Sequence, residues 1–138
     1  MREAWDEERN RAMSHVVLVV DDDEDNAVIA STILRTHGYQ VEVAYNGPSA
    51  LKMLEEQRFD VVLLDVMMPE MDGIEVLDRI KTNPHNAGMP VILVTARTQD
   101  EDVLTGYKCG ADYYITKPFT SRQLLHGIGL VLGLERTA

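Results

Sequence analysis

Apolar residues gather in five short runs, and most of these runs end on a charged or hydroxyl residue. Residues 15–20 (His-Val-Val-Leu-Val-Val) are β-branched and apolar and stop at Asp21. Residues 59–64 (Phe-Asp-Val-Val-Leu-Leu) lead into Asp65, and 90–94 (Pro-Val-Ile-Leu-Val) lead into Thr95. Residues 112–116 end before Lys117, while 40–44 (Gln-Val-Glu-Val-Ala) alternate. Near-continuous apolar runs of this length read as strands buried on both faces, as in a parallel sheet.

Between the runs the apolar spacing turns helical. Residues 26–37 read as a helix with Val28, Ile29, Thr32 and Ile33 on one face, closed by Gly38. Asn46-Gly47-Pro48 is a turn into a helix marked by Ala50, Leu51 and Leu54 that runs to about Arg58. Pro69 and Asp72-Gly73 turn the chain toward a helix marked by Ile74, Leu77 and Ile80. Residues 82–88 form a polar connection. Residues 99–109 read as a fourth helix closed by Gly110, and Thr120 or Ser121 caps a fifth that runs to about Leu134. Five strand–helix pairs imply an α/β fold, a doubly wound parallel sheet covered on both faces.

Composition narrows the function classes. The 138 residues fit one domain with a single core. A net charge of −10 argues against a general nucleic-acid surface, so direct nucleic-acid binding by this chain is not expected. A lone cysteine, Cys109, permits no internal disulfide and points to a reducing compartment. No apolar run reaches the ~20 residues of a membrane helix, and residues 1–14 have no signal-peptide core. A cytoplasmic protein without a membrane role is expected. Residues 1–14 read as a charged N-terminal arm, in which Glu7 and Arg11 are spaced for a short helix, and residues 135–138 as a tail.

In a doubly wound sheet the carboxyl ends of the strands share one edge, where ligands bind. Asp21, Asp22, Asp65, Thr95 and Lys117 all follow strand ends. Clustered carboxylates repel one another, and a hard divalent cation such as Mg²⁺ relieves the repulsion through oxygen ligands. Carboxylates also act as nucleophiles that become aspartyl-phosphates, and phosphoryl transfer demands mainly positioning and charge neutralisation. No Gly-rich phosphate loop is present, which disfavours a P-loop NTPase. The acids at 23–25 read as a helix start, where the dipole favours negative charge. The four histidines have no metal-ligand spacing and read as structural or surface residues.

Four motifs in this order, each at a strand end, carry a resemblance. They are Val-Val-Asp21-Asp22, Leu-Leu-Asp65-Val-Met-Met-Pro-Glu-Met-Asp-Gly73, Val-Thr95-Ala96 and Lys117-Pro118-Phe119. Over residues 15–134 the chain resembles the receiver domain of two-component response regulators. The resemblance implies a flavodoxin-like (βα)5 fold with strand order 2-1-3-4-5. It implies Asp65 as phosphoacceptor, with Asp22 binding Mg²⁺ (or Mn²⁺) directly and Asp21 mostly through water. The Met67 carbonyl would complete the metal ligands. Thr95 and the Ala96 amide would hold the phosphoryl group, Lys117 would pair with it, and the Lys117–Pro118 peptide would be cis. Tyr114 matches the switch aromatic that moves with Thr95. The phosphoryl donor would be a histidine kinase or a histidine phosphotransfer protein. The chain itself would be a signalling switch that catalyses its own phosphorylation and slow dephosphorylation. Met67 and Arg97 flank the path of the attacking water in this family, and this apolar and bulky pair is expected to slow hydrolysis.

Three other readings compete. A phosphatase with an aspartyl nucleophile usually places an acid two residues after it, where this chain has Met67. A degenerate receiver would lack key residues that are present here. A docking role for a single-domain receiver is compatible with phosphorylation. In the fifth helix, Leu124, Leu125, Ile128, Val131 and Leu132 form a core stripe. Leu130 and Leu134 fall opposite it, beside Gly127, Gly129 and Gly133, and suggest a homodimer or output contact on the surface of the fourth helix, fifth strand and fifth helix.

Overall fold

A computed structural model describes residues 15–68, 71–95 and 110–134. Five strands form one sheet: β1 (Val16–Val20), β2 (Gln40–Ala44), β3 (Val61–Asp65), β4 (Val91–Thr95) and β5 (Tyr113–Thr116). The sheet order is β2-β1-β3-β4-β5, and every pairing is parallel. Four helices are described: α1 (Glu24–Thr36), α2 (Gly47–Glu56), α3 (Gly73–Thr82) and α4 (Ser121–Leu132). This is the expected doubly wound, flavodoxin-like arrangement. The arm at 1–14, the helix expected at 99–109 with Cys109, and the tail at 135–138 lie outside the described residues.

Alternate residues of each central strand feed two cores. Leu18, Val20, Val62, Leu64 and Leu93 pack with Ala50 and Leu54 of α2 and Val76, Leu77 and Ile80 of α3. Val17, Val19, Leu63, Ile92 and Val94 pack with Ala27, Ala30 and Leu34 of α1 and Leu124 and Ile128 of α4. β3 is buried at every position, as a central strand covered on both faces must be.

α1 departs from the expected face. It begins at Glu24, with Asp23 as the cap accepting from the Asp25 and Asn26 amides. Its buried residues are Ala27, Ala30, Ser31 and Leu34, an i, i+3, i+4, i+7 set, whereas Val28 and Ile29 are 58% and 55% exposed. Small residues let the helix lie close to the sheet, and they set its rotation in place of the larger aliphatics. Ser31 is tolerated there because its hydroxyl donates to the Ala27 carbonyl at 2.7 Å. Gly38, at φ 93°, ends the helix as expected.

α4 differs from expectation in two respects. Gly127 and Gly129 are buried rather than on the surface. A Cβ at Gly127 would lie 3.1 Å from the side chains of Tyr113 and Ile115, so glycine there lets the helix approach β5. Leu130 is exposed, but Leu134 packs against the core and does not continue its face. Gly133, at φ 71°, turns the chain back, and the Leu134 amide donates to the Gly129 carbonyl at 2.8 Å. This Schellman-type closure folds the following apolar residue inward.

The edge of the sheet opposite the strand carboxyl ends is tied by Lys81 and Asp112. Lys81 Nζ donates to the Met89 carbonyl at 2.8 Å and to Asp112 Oδ2 at 3.1 Å. The same Asp112 oxygen accepts from the Val91 amide at 2.8 Å. These contacts draw together the end of α3 and the starts of β4 and β5.

Candidate functional site

The parallel register delivers the polar strand ends to one edge. Val20 pairs with Leu64, Asp65 with Val94, and Thr95 with Thr116, so the end of β3 is flanked by the end of β1 on one side and by β4, then β5, on the other. Asp21 is fixed by its amide, which donates to the Ala44 carbonyl at 3.1 Å. Lys117 is fixed likewise, its amide donating to the Thr95 carbonyl at 2.6 Å. The Lys117–Pro118 peptide is cis.

Side-chain geometry brings four of the expected residues together. Carboxylate oxygens of Asp21, Asp22 and Asp65 lie within 4.8 Å of one another. Lys117 Nζ spans two of them, at 3.0 Å from Asp21 Oδ2 and 3.3 Å from Asp65 Oδ2. The second oxygen of Asp65 accepts from the Met67 amide at 3.0 Å, and that of Asp21 from the Asp23 amide at 2.9 Å. Asp21 and Asp65 are buried, and Asp22 is open to solvent. The all-oxygen donor set fits a hard divalent cation, and these three acids could hold one.

Charge and burial compete here. Burial pushes the Asp65 carboxyl up from 3.8 to about 6. The Lys117 ammonium opposes that rise, the Asp21 carboxylate adds to it, and the Met67 amide opposes it. Burial works to lower the pKa of Lys117, but the hydrogen bond to Asp21 and the charges of Asp65 and Asp21 outweigh burial and raise it.

The remaining expected residues sit around this centre. Thr95 is buried at the end of the neighbouring strand. Tyr114 pairs with Leu93 one strand further out, packs against the α2–α3 core, and has a buried hydroxyl. Met67 turns its side chain to solvent, 57% exposed, while its amide serves Asp65. Ala96 and Arg97 lie outside the described residues.

Asn26, Ile29 and Ala30 of α1 and Phe119 of the last motif line a cavity of about 40 Å³ together with Asp21, Asp65 and Lys117. Of these, the sequence pattern marks Ile29 and Phe119 without giving them a part in the site, and Ala30 has no one-dimensional signal. Gly73, read only as a turn residue, abuts the Asp65–Val66 peptide, a contact with no one-dimensional signature.

The chain is similar to known proteins. The family model described as response regulator receiver domain matches residues 17–128. The chain is 42% identical over 109 residues to the probable transcriptional regulatory protein TcrX of Mycobacterium tuberculosis, covering 79% of this chain and 46% of TcrX. It is 37% identical over 113 residues to the regulatory protein VanRc of Enterococcus gallinarum, covering 82% of this chain and 48% of VanRc. The chain thus spans about half the length of these curated relatives. Among solved structures it is similar to the chemotaxis protein CheY4 of Vibrio cholerae, at a TM-score of 0.83 and 34% identity over 86% of this chain and 98% of that one. With the fold, the acidic edge and the matched family in agreement, the chain belongs to the receiver domains of response regulators.

Proposed function

We propose that this receiver takes a phosphoryl group onto Asp65 from a phosphohistidine of a histidine kinase or histidine phosphotransfer protein. One Asp65 oxygen attacks phosphorus, the bond from phosphorus to the histidine nitrogen breaks, and the nitrogen leaves with its electron pair. The observation that carries this reading is the convergence of three carboxylates within 4.8 Å, with Lys117 spanning Asp21 and Asp65. Asp21, Asp22, Asp65 and the Met67 carbonyl would hold Mg²⁺, with Mn²⁺ as a substitute. The ion supplies neutralisation of phosphoryl charge beside the nucleophile. Lys117 pairs with the phosphoryl group, and Thr95 and the Ala96 amide donate to it. Water later hydrolyses the acyl phosphate, so the domain acts as a timed switch and not as a turnover enzyme.

The output is a population shift biased through Thr95 and Tyr114. It is read by an output partner or a second copy on the face of β5 and α4, where Leu130 is exposed. The acidic balance favours protein partners over direct nucleic-acid contact. No described helix is long and apolar enough to cross a membrane. A cytoplasmic setting, where the kinase's phosphohistidine would be presented, completes the reading. Mass spectrometry after acetyl phosphate treatment tests it. One labile phosphoryl adduct is expected with Mg²⁺, and none without Mg²⁺ or in Asp65→Asn. Absence of the adduct from wild type sinks the proposal.

A further inference from the structure

The loop after β3 leaves no space for a side chain where it enters α3. A Cβ on Gly73 would strike the Asp65 carbonyl oxygen first, and would lie 2.7 Å from Val66 Cα and 2.9 Å from the Asp65 carbonyl carbon. All three are backbone atoms, so no rotamer change relieves the overlap. The same peptide is held from its other side, where the Val66 amide donates to the Val94 carbonyl of β4 at 2.9 Å. The Gly73 amide donates to the Val66 carbonyl, also at 2.9 Å. The peptide that carries Asp65 is thus clasped between β4 and the first residue of α3. Gly47 offers a contrast. A Cβ there would meet Met71 Sδ at 2.8 Å and Val76 Cγ2 at 2.9 Å, side-chain atoms that can give way.

We infer that Gly73 is a positioning residue for the Asp65 pocket. This rests on the reading of that pocket as a Mg²⁺ and phosphoryl site. A methyl group at position 73 either breaks the Val66–Val94 hydrogen bond or drives the start of α3 outward. The first outcome rotates the Asp65–Val66 peptide, and the second draws the Gly73 amide off the Val66 carbonyl and unclasps that peptide. Either way the Asp65 carboxylate turns relative to Asp21 and Lys117, and the Met67 amide that bonds to it shifts. The helix itself persists, because Asp72 caps it through the Glu75 amide at 2.9 Å and alanine favours helix over glycine.

The test compares Gly73→Ala with Gly47→Ala and with Gly88→Ala, whose Cβ would meet nothing within 4 Å. Calorimetry measures Mg²⁺ affinity, and NMR of the metal-free protein follows the Met67 amide resonance. Circular dichroism gives the melting temperature, so that both readings are taken on folded protein. Gly73→Ala is expected to move the Met67 amide and to raise the Mg²⁺ Kd about tenfold or more. Gly47→Ala lowers the melting temperature but leaves the Mg²⁺ Kd unchanged, and Gly88→Ala changes neither. Wild-type Mg²⁺ affinity and an unmoved Met67 amide in Gly73→Ala overturn the inference. Failure of Gly73→Ala to fold overturns it too, since the contact would then be a condition of the fold. If wild type binds no Mg²⁺ and takes no phosphoryl group, the functional reading falls, while the metal-free Met67 comparison still decides the role of Gly73.

Discussion

Lys117 Nζ stands 3.0 Å from Asp21 Oδ2, joining residues 96 positions apart in the chain. The same nitrogen reaches Asp65, so one cation holds two buried carboxylates that have no other ion-pair partner among the described residues. Lys117→Met is expected to destabilise the metal-free protein by about 2 kcal/mol, below the ~3–5 kcal/mol of breaking a fully buried pair. Solvent reaches part of the lysine, and Asp65 can take up a proton. Chemical denaturation with EDTA and with Mg²⁺ checks this, the loss shrinking when the metal is present.

The raised Asp65 pKa fixes the sign of a pH effect. The folded metal-free protein holds the proton up to about 6, whereas the ordinary value is 3.8. The contribution of this group to stability is therefore complete below 3.8 and is lost as pH climbs to about 6. Asp65→Asn stays neutral throughout. The difference in melting temperature, variant minus wild type, should grow across that window and level off above it. A flat difference would contradict the desolvation argument.

Met67 is expected to bear on the lifetime of the proposed acyl phosphate. Its amide bonds Asp65, and the residue is exposed to solvent. An amide side chain there can orient a water that a thioether cannot. Met67→Asn, alone or with Arg97→Glu, is expected to hydrolyse the phosphorylated protein severalfold faster. Decay of radiolabel after removal of the donor measures this, and an unchanged or slower rate refutes it.

The end of α4 separates two leucines that share a helical face on paper. Leu134→Ala should cost about 1 kcal/mol, because its side chain packs on the core. Leu130→Glu should leave stability within ~0.5 kcal/mol. It should abolish any self-association that runs through this face, and sedimentation velocity of both proteins distinguishes the cases.

The strands and the acidic edge were legible because the informative residues stand directly after apolar runs. Asp21, Asp65, Thr95 and Lys117 needed only a parallel sheet to become neighbours. The rotation of α1 was not legible from its large residues, because Ala27, Ala30 and Ser31 fill the narrow space against the sheet and leave Val28 and Ile29 outside. Helical periodicity also carried Leu134 onto the surface, since a linear pattern does not register the reversal at Gly133. The buried role of Gly127 depends on how closely α4 approaches Tyr113 and Ile115, a distance set by tertiary packing.

The tie between Lys81 and Asp112 has a mechanical consequence. It anchors the starts of β4 and β5 at the far edge of the sheet, while the pocket lies at their other ends. A pull on Thr95 would then act at the ends of two strands tied together at their base, moving both through the Lys117–Thr95 backbone bond. Strands tied at the base move as a pair, and Lys81→Met would loosen that base without touching a single group in the pocket.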